Sequence, residues 1–135
     1  MSQDSIDIRT FFPITDEQQN RLLRQQPLIY RDHLKCDRMD SPFHSHDGYE
    51  MIYVHSGRGM IVLKDRIFPI ASDTLYLIDV LELHKIRTDG SEPYVRSVIN
   101  FTPEFLRSWS KLSGGVDLLQ LFRHPPAHRV LKEAS

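Results

Sequence analysis

Residues 42–57 read PFHSHDGYEMIYVHSG. His44, His46 and Glu50 fall at i, i+2 and i+6, directly ahead of an apolar run. A β-strand sends alternate side chains to opposite faces. An extended chain over 44–54 therefore puts His44, His46, Glu50, Ile52 and Val54 on one face and Tyr49, Met51 and Tyr53 on the other. The first face passes from ligand-type groups into aliphatic packing, as the interior of a small barrel does near its mouth. A bulge at Asp47-Gly48 would reverse the parity of everything beyond it. The same parity applied to HKIRT groups His84 with Ile86 and Thr88. Three imidazoles and one carboxylate suit a divalent transition metal such as zinc, nickel, manganese or iron. Calcium or magnesium would ask for more oxygens. Two other readings stand beside this one. The four side chains form a pocket wall that hydrogen-bonds a small effector, sugar-like or otherwise hydroxylated. Alternatively, they form a hydrogen-bonded cluster with no ligand, since a carboxylate accepts from imidazole N–H groups in either case. Ile52, Val54 and Ile86 share the inner face and are candidates to line a largely apolar ligand pocket.

These residues need strands to hold them, and the middle of the chain supplies them. From 28 to 101, seven short runs rich in β-branched and aromatic residues follow one another: LIYR, YEMIYVHS, MIVLKD, RIFPI, TLYLID, HKIRT and YVRSVINF. Turn-forming stretches separate them, among them SGRG, KDR, ASD and TDGSEP. This spacing predicts an all-β sandwich, jelly roll or small barrel. TLYLI is apolar on both faces and should lie inside the fold. Residues 1–27 read as an extension with one short helix, DEQQNRLLRQQ, introduced by a Thr15/Gln18 capping box and ended by Pro27. Residues 102–135 read as helical. Thr102 and Pro103 open EFLRSWSKL, whose Phe105, Leu106, Trp109 and Leu112 share a face for packing on the barrel. Ser113-Gly114-Gly115 stops it, VDLLQLFRH forms a second helix, and AHRVLKEAS runs out as a loose tail at a domain edge.

The bounds agree with one soluble domain. The chain has 135 residues, 40% hydrophobic and 26% charged, enough to bury a core. Net charge is −1 with no basic block, which argues against nucleic-acid binding by this segment itself. A single cysteine, Cys36, cannot close an internal disulfide, and no signal peptide or run of 18 apolar residues appears; a cytoplasmic, non-membrane protein is the expectation. His55 reads as a surface or interface residue, and His33, His124 and His128 as structural or solvated.

Two resemblances extend this reading. His44-x-His46, with Glu50 and then Gly57, resembles the first signature motif of the cupins, and His84 falls where the second motif carries its histidine. The resemblance implies a double-stranded β-helix, a jelly-roll barrel with inward-pointing metal ligands. The sequence departs from the pattern at Arg38, Asp73, Asp79, Leu81 and Thr88, where the motifs usually carry glycine, proline or asparagine. Over residues 28 to 123 the chain is more narrowly similar to the N-terminal sensor domain of AraC-type transcription regulators. The similarity runs from the HxH…E strand through Ser72-Asp73 and Asp79–His84 to a strand–helix junction at Arg96, Ile99, Phe101, Pro103, Phe105 and Leu106. It implies a module that binds a small-molecule effector, catalyses nothing and reaches DNA only through a C-terminal helix-turn-helix domain that this chain lacks. The outer face around Tyr53 suggests a homodimer. The alternative is a small metal-dependent cupin enzyme, a dioxygenase or isomerase acting on a small polar substrate. A third reading is an interaction module with an empty barrel.

Overall fold

The computed structural model describes residues 16–112 and 118–133. A first helix, α1 (Asp16–Gln25), precedes β1 (Leu28–Cys36), β2 (Tyr49–Ser56), β3 (Gly59–Leu63), β4 (Arg66–Ile70), β5 (Thr74–Ile78), β6 (His84–Thr88) and β7 (Tyr94–Phe101). Two short helices, α2 (Pro103–Leu112) and α3 (Leu119–Arg123), a 3-10 turn at Pro126–His128 and a last strand, β8 (Val130–Lys132), complete it. The strands form two antiparallel sheets, of order β1-β7-β2-β5-β8 and β4-β3-β6. All seven expected strands are present, and the order is that of a jelly roll.

The core sits between the sheets. Leu34, Ile52, Val54, Tyr76 and Val98 from the larger sheet meet Ile61, Leu63, Ile70 and Ile86 from the smaller one. Burying each such side chain stabilises the fold by roughly 1.5–3 kcal/mol. β5 is buried on both faces, as its composition predicts, with Tyr76, Leu77 and Ile78 all about fully covered. The far face of the larger sheet has its own apolar layer. Tyr49, Leu77 and Phe101 pack beneath Leu106 of α2 and Phe122 of α3, and the Tyr49 and Phe122 rings lie 4.8 Å apart. Leu22 and Leu23 of α1 close over Ile29. Gly48 permits this approach: a Cβ there would stand 2.7 Å from the Phe101 carbonyl oxygen and 2.9 Å from Leu23 Cδ1.

Thr102 caps α2, its hydroxyl accepting from the Phe105 N–H at 3.1 Å. Thr15 and the Ser113-Gly114-Gly115 stop lie outside the described residues. Two expectations need correction. Trp109 and Leu112 do not join Phe105 and Leu106 against the barrel; Trp109 is 38% exposed and Leu112 87%. Leu106 and Phe122 supply the buried contacts of this layer, with Phe105 partly buried against it. Nor is AHRVLKEAS loose. Its Val130–Lys132 segment pairs with β5, Thr74 opposite Lys132, and adds an eighth strand.

Candidate functional site

The chain is not extended over the whole of 44–54: Asp47 and Gly48 form a bend and the regular strand begins at Tyr49, yet His44 and His46 still reach the same cavity wall as Glu50 and Ile52. The pairing of β2 with β7 is continuous from Tyr49 to Val54 and shifts only between Val54 and Ser56. His44 is held outside the regular strands by a bridge to His84, each main chain bonding the other at 3.0 and 2.9 Å. That bridge brings two distant parts of the sequence together at the barrel mouth.

The His44, His46 and His84 rings converge, with centroids 4.0 to 4.9 Å apart and one ligand nitrogen from each lying within 4.8 Å of the others. His46 and His84 are buried and His44 half-buried. Glu50 stands beneath two of them, its Oε2 at 3.4 Å from His46 Nε2 and 3.3 Å from His84 Nε2. Burial alone would push the Glu50 carboxyl up. The hydrogen bonds and charges of His46 and His84 outweigh it and hold the group well below the usual carboxylate range.

The His84 ring carries a constraint. Its Nδ1 lies 2.9 Å from the Glu82 carbonyl oxygen, which can only accept, so Nδ1 bears a proton. A neutral His84 then has a lone pair at Nε2, facing the Glu50 carboxylate. At that distance a hydrogen bond needs a proton on one of the two groups, on the ring or on the carboxyl; a metal ion on Nε2 is the other way to satisfy it. His44 is oriented the same way, Nδ1 2.9 Å from the Pro42 carbonyl oxygen, which leaves Nε2 as its ligand atom. The donor set thus fits a divalent transition metal through three imidazole nitrogens, with Glu50 behind them.

A cavity of about 700 Å³ opens beside this cluster. His44, His46 and Glu50 lie on its wall, with Leu34, Ile52, Ile86 and Val98 as aliphatic lining. Val54, 1% exposed, packs in the inter-sheet core beyond it. His84 also stands behind the wall, 1% exposed. The structure adds residues that the sequence reading did not single out. Arg31 from β1 and Arg96 and Tyr94 from β7 line the cavity, with Gln19 of α1 at its edge. Arg31 Nη2 donates to Asn100 Oδ1 at 2.9 Å and Gln19 Oε1 at 3.2 Å, and lies 4.0 Å from Glu50 Oε1. Arg96 lies over the Tyr94 ring at 4.8 Å and donates weakly to Cys36 Sγ at 3.9 Å. Burial lowers both guanidinium groups below their ordinary value and pushes the Tyr94 hydroxyl up. A signal for Arg96 and Asn100 existed: in YVRSVINF they share the parity of Tyr94 and Val98, placing polar groups on an inward face.

Outside the barrel, Asp32, His33 and His55 form another group of ligand-type atoms. A bulge between Arg31 and Leu34 turns His33 outward at φ 49°, where its ring stacks on His55 at 3.9 Å. Ser97 Oγ donates to Asp32 Oδ1 at 2.9 Å, receives the His33 main-chain N–H at 3.2 Å and stands 2.8 Å from His55 Nε2. This network satisfies itself through the serine.

The chain is similar in structure to a candidate mannose-6-phosphate isomerase from Ralstonia eutropha JMP134, at 18% identity over 57% of this chain and 76% of that one, TM-score 0.52. It is likewise similar to a cupin 2 conserved barrel domain protein from Salinispora arenicola CNS-205, at 14% identity over 64% and 72%, TM-score 0.51. ToxT from Vibrio cholerae O395 aligns at 18% identity over 71% of this chain and 39% of its own length, TM-score 0.49. No curated protein matches the chain. The structural likenesses establish the cupin barrel as the fold. The model of the AraC-like ligand binding domain matches residues 29–134, from the first strand to the end of the tail, and the chain belongs to that family.

Proposed function

We propose that this chain is the effector-sensing module of an AraC-type transcription regulator. A small molecule enters the barrel, no reaction follows, and occupancy biases the arrangement of the regulator's helix-turn-helix domain. The observation that carries the reading is the cavity itself: about 700 Å³, partly open, its exposed surface mostly apolar, with polar and charged side chains converging on it. Heteronuclear NMR tests it. A binding small molecule should shift the Ile52 and Ile86 methyl signals while Ile67, exposed on the opposite sheet, stays still. The full regulator should then change its affinity for operator DNA when that molecule is added. Effector binding with no change in DNA affinity would count against a sensor.

We propose further that His44, His46 and His84 hold a divalent transition metal, the approach of His84 Nε2 to Glu50 Oε2 being its support. A bound ion would supply Lewis-acid polarisation of a ligand oxygen. The chain's own residues orient the imidazoles through the Pro42 and Glu82 carbonyls and keep the carboxylate charged. Zinc or nickel added to metal-stripped protein should raise the melting temperature, and His46→Ala should abolish the rise. The same three imidazoles favour the second reading, a metal-dependent cupin dioxygenase or isomerase; turnover of a small substrate by metal-loaded protein would establish that instead. Action in the cytoplasm as a homodimer belongs to the proposal, and sedimentation velocity of the purified chain tests the dimer.

A further inference from the structure

One corner of the cavity is rich in N–H groups and short of acceptors. Arg31 lies at its centre, 7% exposed, with Gln19 at 3% and Asn100 at 0% beside it. Arg31 Nη2 donates to Gln19 Oε1 at 3.2 Å and to Asn100 Oδ1 at 2.9 Å. A guanidinium group only donates, so both amides must turn their oxygens toward it. Each amide then turns its NH2 group away. Among the described residues, Gln19 Nε2, Asn100 Nδ2 and Arg31 Nε are buried nitrogens without a hydrogen-bond partner. A buried donor left unmet is costly, and here three belong to one contact group.

Two of these side chains are offered to the cavity. Arg31 and Gln19 line it, whereas Asn100 is not on the wall. Glu50 does not supply the missing acceptor. Its Oε1 lies 4.0 Å from Arg31 Nη2, beyond hydrogen-bond reach, and its Oε2 faces His46 and His84 at 3.4 and 3.3 Å. Hydrocarbon begins directly beside the corner. Arg31 pairs across with Val98, and Val98 with Ile52, so the three form one row on the cavity wall. An oxygen placed at the corner would accept from Arg31 Nε and Gln19 Nε2. A hydroxyl there brings an O–H that must find an acceptor of its own, where acceptors are what is lacking. A carbonyl-type oxygen takes two hydrogen bonds and brings no hydrogen.

Resting on the sensor reading above, we infer that Arg31 and Gln19 form the oxygen-binding corner of the cavity, and that the effector is an organic molecule presenting a carbonyl-type oxygen to Arg31 Nε and Gln19 Nε2, its hydrocarbon laid along Val98 and Ile52. Ketones, amides, esters and carboxylates all carry such an oxygen. Selectivity comes from the unmet N–H groups, because a site built to hydrogen-bond a ligand rejects a molecule that leaves its buried polar groups bare.

The test compares octan-2-one, octan-2-ol and octanoate on the purified chain by calorimetry, with methyl NMR of Ile52 and Val98 locating each molecule. Octan-2-one should bind there at least about fivefold more tightly than octan-2-ol, which has the same skeleton. Gln19→Glu keeps the oxygen that Arg31 bonds and replaces the amide NH2 by a second oxygen, and it should erase or reverse that preference. Should this variant fail to fold, Gln19→Met serves, and the wild-type comparison stands by itself. Octanoate separates the two sources of the oxygen. Binding tighter than octan-2-one assigns a carboxylate and weaker binding a neutral carbonyl; the corner is upheld in both cases when Gln19→Glu weakens the tighter of the two. Octan-2-ol binding as tightly as octan-2-one would overturn the assignment, since a corner that only holds water would treat the two alike. So would a ketone preference unchanged in folded Gln19→Glu protein. A blank with all three molecules would overturn it as well, while the sensor reading is decided separately by the operator-DNA response of the full regulator.

Discussion

Glu50 and His84 come from strands in different sheets and meet with 3.3 Å between Oε2 and Nε2. Parity placed Glu50 with Ile52 and Val54 because alternation holds within the regular strand from Tyr49; the bend at Asp47-Gly48 lay outside that rule. The sequence says less about Arg31 and Arg96: an arginine in a strand is usually solvated, and only the closing of the barrel shows that these two are enclosed. Their inward parity was legible in YVRSVINF and LIYR, but burial was not, since burial depends on what the facing sheet brings. A residue-scale prediction concerns Tyr53, whose hydroxyl faces Glu133 Oε2 at 2.9 Å and Asp73 Oδ1 at 3.1 Å. The hydrogen bond to Glu133, then desolvation and Asp73, push it up to about 12. A raised tyrosine favours the folded state below pH 10, and that contribution is withdrawn as pH climbs from about 10 to about 12. Residue-resolved NMR of the tyrosine rings should find Tyr53 ionising late, at about 12, and Glu133→Gln should bring it down.

At the scale of elements, the strands were legible because β-branched and aromatic runs alternated with turn residues. The end of the chain was not. HRVLK is too short and too charged to announce a strand, and it becomes one only because β5 has an open edge beside it. What fixes it there is Arg129, 2% exposed. Its Nη1 and Nη2 donate to the two Glu82 carboxylate oxygens at 2.7 and 2.6 Å, Nη1 also to the Leu77 carbonyl at 2.8 Å, and Nε to the His124 carbonyl at 2.8 Å. Arg129→Met leaves Glu82 buried without its counter-charge, which costs about 3–5 kcal/mol. Urea unfolding should show a loss of that order, and amide exchange should show Val130–Lys132 losing protection first. Unchanged protection in a folded variant would mean that strand pairing alone holds the tail.

At the scale of the whole molecule, two sheets enclose one interior whose far end is packed and whose near end is hollow. The fold class was legible because seven strands with short turns leave few architectures; the hollow was not, since volume arises from which side chains fail to meet. Ile70, buried in the inter-sheet core and paired with Gly59, is not among the residues that line the cavity. Ile70→Ala should destabilise the protein by roughly 2–5 kcal/mol with metal binding intact, measured by urea unfolding and zinc titration.

Glu82 belongs to both ends of this arrangement. Its main-chain oxygen aligns the His84 ring, while its side chain is clasped by the arginine just ahead of the final strand. A guest that tugs on His84 must therefore either snap the ring free of that oxygen or drag Glu82 with it, and Glu82 has no slack to give without moving Arg129. The shortest mechanical route from the chamber to the chain's last residues is a single glutamate long.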